Sequence, residues 1–272
     1  MSNDKTLIIP DIHLRHEKAE KIISIVKPDK IVFIGDYFDD FNDTPAMVAE
    51  TADWLHHSVN QENRIHLVGN HDIMYWFKNN SSLHCAGHEQ YKSVTINDFV
   101  TSKDWEKLVF YYNLDNKWLL THAGLHPYWI NPSNFKRKEI MSYTLKQACS
   151  KLAIESIKAK KSFQKNEMHW FAMPGYSRCS NSYCYGGLLW CDWDEEFHPV
   201  GGLHQIVGHT PNHELFWLYL KEGDTNFQSA PWNKVCPELS NKSSYNICLD
   251  SQPGSRYYAI YEDGKLSIHN NE

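Results

Sequence analysis

The stretch "IVFIGDYFDD", residues 31–40, runs four apolar residues into a glycine and then sets three acids within five positions. The apolar run has the length and composition of a buried β-strand, and the Gly-Asp that follows marks its end. Carboxylates this close repel one another, and desolvation at a strand end raises the cost of keeping them ionised. A bound cation reverses that balance, because it becomes the largest charge in the site. The stretch therefore predicts a strand whose carboxyl end meets a cation, and the remaining ligands have to come from elsewhere in the chain.

The neighbouring segments repeat the pattern. "TLIIP" (6–10) is a short apolar strand and "RIHLVG" (64–69) another, while residues 16–26 and 44–58 have helical spacing. This alternation of strand and helix predicts a parallel sheet with crossover helices. In such sheets ligands gather at the carboxyl ends of the strands. The polar clusters "PDIH", "GDYFDD" and "GNHD" each stand at that end of their own strand, so they share one rim.

Further along, "KLVFYYNLDNKWLLTHAGL" (107–125) predicts a hairpin turned at Asp115-Asn116 and running into His122. Residues 135–161 have helical periodicity, 162–187 form an irregular excursion rich in Gly, Ser, Cys and aromatics, and 224–244 read as an exposed loop. "HQIVGHT" (204–210) is a strand ending in a polar turn at His209. The C-terminal "NICLD" and "YYAIYEDGKLSIHN" read as strands with a hairpin at Asp263-Gly264. With no internal repeat, linker or low-complexity segment, residues 1–272 are expected to form a single domain.

Composition narrows the class. The 272 residues carry 42% hydrophobic and 22% charged side chains, ordinary values for a globular protein, and a net charge of −6. That balance argues against general nucleic-acid binding, which needs a basic face. No stretch approaches a membrane span, and the start has no signal-peptide pattern. Seven scattered cysteines without a secretory signal are expected as reduced thiols in a cytoplasmic protein.

Collected in order, the strand-end residues are Asp11, His13, Asp36, Asp39, Asn70, His71, His122 and His209. Carboxylate, imidazole and amide oxygen together suit borderline divalent ions better than calcium. The set exceeds one tetrahedral zinc and matches two ions sharing a carboxylate, spaced at roughly 3.5–4 Å as in hydrolases that clamp phosphate. Each motif alone has a bland reading. Gly-Asp is a common loop, Asn-His after Gly caps a helix, and Asp39 has helix capping as a rival role. Lone histidines at 122 and 209 would more often be core or surface residues. Five motifs in order, each after an apolar strand, favour the ligand reading. His213 is a further imidazole, offset from the pattern and read as a solvated loop residue.

The blocks "DIH", "GDYFDD", "GNHD", "THAG" and "GHTP" resemble those of the calcineurin-like metallophosphoesterases. "GDYFDD" is similar to GDxVDRG, and "GLLWCDWDEEF" (187–197) to the LLWSDP segment, of the branch that resembles Ser/Thr protein phosphatases. The blocks span about three quarters of the chain. The resemblance implies an α/β fold with central β-sheets forming a sandwich flanked by helices. It also implies Asp11, His13 and Asp36 on one metal and Asp36, Asn70, His122 and His209 on a second, with Asp36 bridging. His71 matches the general acid and Asp39 the carboxylate that orients it. The cofactors implied are two divalent ions, manganese favoured with iron or zinc as alternatives. The reaction implied is in-line attack of activated water on a phosphate ester.

Two departures stand out. The arginine that follows the second Asp of GDxVDRG is Asp40 here, and the arginine expected before the Gly-Asn-His block is Val68. Arg15, beside the first block, and Arg178, before "LLW", are the remaining candidates for gripping phosphate. The substrate is expected to be a phosphoprotein or, as the alternative, a dinucleoside polyphosphate or other nucleotide, with aromatics of 162–187 stacking on a base. Loss of two arginines leans toward a less charged phosphate such as a diester. The reading from another class is a non-catalytic, metal-stabilised scaffold, which would need neither His71 nor Asp39.

Overall fold

The computed structural model describes residues 4–271 apart from 134, 136–139, 181, 213, 225, 233–238, 240–242 and 252–255, so His213 lies outside the described residues. The chain divides into two units, Met1–Val109 with Phe163–Glu167 and Leu249–Glu272, and Phe110–Ser162 with Met168–Cys248.

In the first unit the expected strand–helix alternation is present: β1 (Thr6–Ile9), α1 (His16–Val26), β2 (Lys30–Phe33), α2 (Pro45–Ser58) and β3 (Arg64–His66). The three strands pair in parallel in the order β1-β2-β3. Leu7, Ile8, Ile31, Val32 and Phe33 are almost wholly buried, as continuous apolar runs covered on both faces should be. Burying each such side chain contributes about 1.5–3 kcal/mol. α2 opens with Thr44, whose hydroxyl accepts from the Met47 N–H, followed by Pro45 at a position where no N–H is needed.

The sheet is not purely parallel. β10 (Tyr257–Glu262) joins it antiparallel to β1, and β11 (Lys265–Asn270) pairs antiparallel to β10, giving the order β11-β10-β1-β2-β3. The sheet is thus mixed, because a two-residue hairpin at Asp263-Gly264, both at positive φ, can only lay down antiparallel strands. The unit also holds three helices that apolar spacing alone did not mark: α3 (Asn70–Trp76), α4 (Gln90–Phe99) and α5 (Ser102–Trp105).

The second unit contains a six-stranded mixed sheet ordered β4-β5-β6-β9-β7-β8. Its strands are β4 (Tyr111–Leu114), β5 (Trp118–Thr121), β6 (His204–Val207), β7 (Phe216–Leu220), β8 (Gln228–Pro231) and β9 (Ser244–Cys248). The β4–β5 hairpin turns at Asp115 and Asn116, both left-handed, as expected. β5, β6 and β9 are parallel neighbours. The region 224–244 is not all loop. β8 pairs along β7 as an exposed edge strand, its alternation too polar to announce itself.

The helix expected from residue 135 begins later, as α7 (Leu145–Gln164), after the short α6 (Pro127–Ile130). Thr144 and Gln147 form a reciprocal cap: the Thr144 hydroxyl accepts from the Gln147 N–H while Gln147 Oε1 accepts from the Thr144 N–H. The irregular 165–187 segment is tied down rather than loose. The buried Glu196 carboxylate accepts from the Ser177 N–H at 2.8 Å and the Gly186 N–H at 2.6 Å, and Trp129 Nε1 donates to Gly186 O at 2.9 Å.

His66, at the end of β3, is a buried neutral imidazole stacked on Phe33. Because the Tyr37 hydroxyl donates to Leu67 O, it accepts from His66 Nδ1–H, and the Ser58 hydroxyl meets Nε2 at 3.0 Å. Burial, with the charge of Arg64 adding to it, pushes His66 down to about 3. The unfolded chain therefore takes up a proton near pH 6.5 that the folded chain refuses until about pH 3, so stability should fall as pH drops through that window. Denaturant titrations of metal-free protein at pH 7 and pH 5 should show this loss, and His66→Gln, though less stable at pH 7, should lose less between the two. An equal loss in both would exclude His66 as the source.

Candidate metal centre

Three loops leave the carboxyl ends of β1, β2 and β3, and backbone hydrogen bonds stitch them together. Asp36 O accepts from both the Ile12 and His13 N–H groups, at 2.9 and 2.8 Å, and Tyr37 O accepts from Leu14. Gly35 has φ +113, and a Cβ there would lie 2.6 Å from Gly69 N, so only glycine lets the β2 and β3 loops meet. Gly69 in turn leaves room for a side chain, since its Cβ would fall 2.0 Å from Asp36 Oδ1.

Asp72 locks this junction. Its carboxylate, fully buried, accepts from the Asp36 and Gly69 N–H groups through Oδ2 and from the Tyr37 N–H through Oδ1, all at 2.8 Å. In the sequence Asp72 stands out only as the last letter of "GNHD". Its signal was its position three residues after Gly69, where an acid closes a helix N-terminus.

On this base Asp11, His13 and Asp36 each offer a donor atom, all within 4.8 Å of one another. Asp11 and Asp36 are buried, and His13 Nε2 lies 3.8 Å from Asp36 Oδ2. The imidazole is prepared as a ligand: its Nδ1 faces two acceptors, Asp39 O at 2.6 Å and Phe38 O at 3.1 Å. Nδ1 must then carry a proton, and in the neutral ring that puts the lone pair on Nε2, on the side of the carboxylates. His13, Asp36 and Asp39 all adopt left-handed backbone conformations, a form of strain that clusters at functional sites. A divalent cation fits this donor set, which gathers one imidazole nitrogen and two buried carboxylates that repel less with a positive charge between them.

Asp250 joins these acids. It follows β9 and is buried, and burial together with the charges of Asp11 and Asp36 raises its carboxyl to about 8, against the pull of His13. It was missed in the sequence although "NICLD" shows the same strand-then-acid pattern as "IVFIGD".

Asn70 and His71 open α3. Asn70 is buried, with its amide nitrogen toward Cys85 Sγ at 4.0 Å. The His71 N–H donates to Asp36 Oδ1 at 2.9 Å, and its side-chain Nδ1 lies 3.0 Å from Asp39 Oδ2. Burial opposes charge on this imidazole, but Asp36 and Asp39 hold its pKa well above the ordinary histidine value. Burial likewise pushes the Asp39 carboxyl up, but His71, Tyr75 and Lys92 together hold it below the usual range. The expected pair is thus formed, and Tyr75 and Lys92 are additions to it.

In the second unit His122 follows β5 and His209 follows β6. Because these strands are parallel neighbours, the two imidazoles emerge at the same edge, 5.2 Å apart by ring centroids, and Gly208 N–H donates to His122 O. His209 has φ +73. The candidate arginines are both held by acids. Arg15 Nη2 lies 2.8 Å from Asp40 Oδ2, and Arg178 Nη2 lies 2.6 Å from Asp192 Oδ2. Val68 is buried with its N–H on Val109 O, so position 68 is a packing site.

Among the described residues no helix is long and apolar enough to cross a membrane. A search of curated proteins finds no match. Solved structures similar to this chain include a metallophosphoesterase from Sphaerobacter thermophilus, at 18% identity and TM-score 0.48, covering 100% of this chain and 89% of that one. Another is a putative diadenosine tetraphosphatase, at 14% identity and TM-score 0.49, covering 99% and 94%. A third is a protein serine/threonine phosphatase from Saccharomyces cerevisiae, at 12% identity and TM-score 0.45, covering 98% and 79%. The family model for calcineurin-like phosphoesterases matches residues 5–213, a span that takes in every strand-end block from Asp11 to His209. This chain belongs to the calcineurin-like phosphoesterases and is a metal-dependent phosphoric ester hydrolase.

Proposed function

We propose that the enzyme is a dinuclear phosphomonoesterase acting on phosphoprotein-type substrates. Asp11, His13 and Asp36 hold one divalent cation, and Asp36, Asn70, His122 and His209 hold the second, with manganese the favoured metal. The observation that carries this reading is the His13 imidazole. Two backbone carbonyls claim its Nδ1 proton, so Nε2 is committed as a ligand beside Asp36. When bound at such a site, divalent cations lower the pKa of water and neutralise phosphate charge.

The chain's own residues carry the remaining roles. His71 gives the Nε2 proton to the leaving oxygen, and Asp39 holds the opposite nitrogen protonated and the ring in place. Asp72 and Gly69 keep Asp36 in a fixed position against the start of α3. Arg15, paired with Asp40, is proposed to grip the phosphate. Arg178, anchored on Asp192, is proposed as a second contact. A scaffold without catalysis has no need of a buried Asp39 aligned on His71.

A nucleotide phosphohydrolase is the second reading. It is favoured by Tyr183, fully exposed, and Tyr176, 38% exposed, in the 162–187 segment, where aromatic faces are available to a base.

Turnover by metal-reconstituted protein on a phosphopeptide, a diadenosine polyphosphate and an artificial aryl diester separates the readings. The phosphopeptide is expected to have the highest kcat/KM; cleavage of the other two with no phosphopeptide activity would reverse the order. Asp36→Asn should leave folded protein that retains neither cation, measured by elemental analysis after desalting. Two equivalents remaining would contradict the bridging role.

A further inference from the structure

Lys92, in α4, has 2% of its surface exposed, among the least accessible large side chains described. Its ammonium has three N–H bonds and three acceptors: Asp39 Oδ1 at 3.1 Å, Gly87 O at 2.8 Å and Asp43 Oδ2. Tyr75, on α3, donates its hydroxyl to the same Asp39 Oδ1 at 2.7 Å. Asp39 Oδ2 is left to His71 Nδ1 at 3.0 Å. The two oxygens of one carboxylate are thus divided, one to a lysine and a tyrosine and one to the imidazole.

Packing alone does not ask for this. An apolar side chain of similar length would fill the position of Lys92, whereas a buried ammonium is costly unless paired and fully hydrogen-bonded. The pairing is complete and joins α4 to the loop that carries Asp39. Gly87 belongs to the same arrangement. It has φ +93, and a Cβ there would lie 3.0 Å from Asp39 Cβ, so the loop before α4 folds directly onto the carboxylate. Burial works against charge on Lys92, but Asp43 and Asp39 hold the ammonium above the ordinary lysine value.

We propose that Lys92 and Tyr75 are positioning residues for proton transfer: by fixing Asp39 Oδ1 they stop the carboxylate turning and keep Oδ2 aligned on His71 Nδ1. The inference rests on His71 being the general acid, as proposed above. In the step concerned, the oxygen of water forms the new bond to phosphorus, and the bond from phosphorus to the leaving oxygen breaks. The protons of that water stay with the phosphate product, which releases one to solvent, and solvent returns a proton to His71 after product leaves. The leaving oxygen keeps the electron pair and takes the proton from His71 Nε2, and the imidazole ends neutral with its proton on Nδ1. A carboxylate free to rotate would let the ring swing or exchange tautomers, and Nε2 would no longer be presented. Lys92 also keeps a positive partner on Asp39 once His71 has become neutral, so a buried carboxylate is never left without one.

A leaving-group series distinguishes positioning from plain structural support. General-acid help matters for alkyl and phenyl phosphates and little for p-nitrophenyl phosphate, whose leaving group needs no proton. Lys92→Met and Tyr75→Phe should lower kcat on alkyl phosphate by roughly 10–10²-fold, a part of the roughly 10²–10⁴-fold that acid–base assistance supplies. Turnover of p-nitrophenyl phosphate, KM and metal content should stay near wild type. His71→Asn is the reference and should steepen the same dependence more strongly.

Equal losses on both esters, or none, in Lys92→Met and Tyr75→Phe would assign both residues to the fold alone and overturn the inference. If His71→Asn itself leaves the dependence unchanged, the general-acid reading falls and this inference with it. If His71→Asn steepens the dependence while the other two do not, only the positioning role is lost. Should Lys92→Met not fold, Tyr75→Phe, which retains the ring and the Lys92–Asp43 pair, decides on the same terms.

Discussion

Asp72 has no access to solvent, and both its oxygens are spent on backbone N–H groups that arrive from two different loops. A buried carboxylate accepting such bonds is strongly bound to its place, because releasing any one donor would leave either a buried N–H or a buried charge unsatisfied. The consequence is positional. Asp36 cannot shift without breaking its N–H bond to Asp72, nor can the start of α3. Asp36 and His71 both belong to that junction, so the proposed bridging ligand and the proposed acid share one anchor.

Around it, the polar groups form a graded series. Asp36 and Asp11 are the acids proposed to hold a cation, with the buried Asp250 raised to about 8 by burial and by their charge. Asp39 is set apart from them by its partners, with His71 on one oxygen and Tyr75 and Lys92 on the other. Carboxylates a few residues apart in the chain thus acquire different surroundings, which is the basis of the separate roles proposed for Asp36 and Asp39. The replacement of arginine by Asp40 belongs to the same logic. The acid in that place pairs with Arg15, 25 residues earlier in the chain.

Much of this was legible in the residues themselves. The alternation of "TLII", "KIVF" and "RIH" with amphipathic helices predicts parallel strands, and parallel strands bring Asp11, Asp36 and Asn70 to one edge without further information. The Asp115-Asn116 and Asp263-Gly264 turns were readable because only a few residue types accept two successive left-handed conformations. Less visible were α4, which carries mostly polar residues, and β8, an edge strand of four residues with little burial. The late start of α7 at Leu145 was written in Thr144 and Gln147, a capping pair that apolar periodicity passes over.

The sequence by itself determined the family, the parallel core of the first sheet and the metal-ligating types at its strand ends, because strand length, apolar runs and motif order are local properties. Only the tertiary structure decided which side chains tune those groups. That Lys92 reaches Asp39 across 53 positions, that Arg15 is met by Asp40, and that Asp250 joins the buried acids depend on where loops bring distant backbone together. Electrostatic pairing acts over a few ångströms in space, and nothing in the spacing of residues along a chain records that distance until the chain has folded.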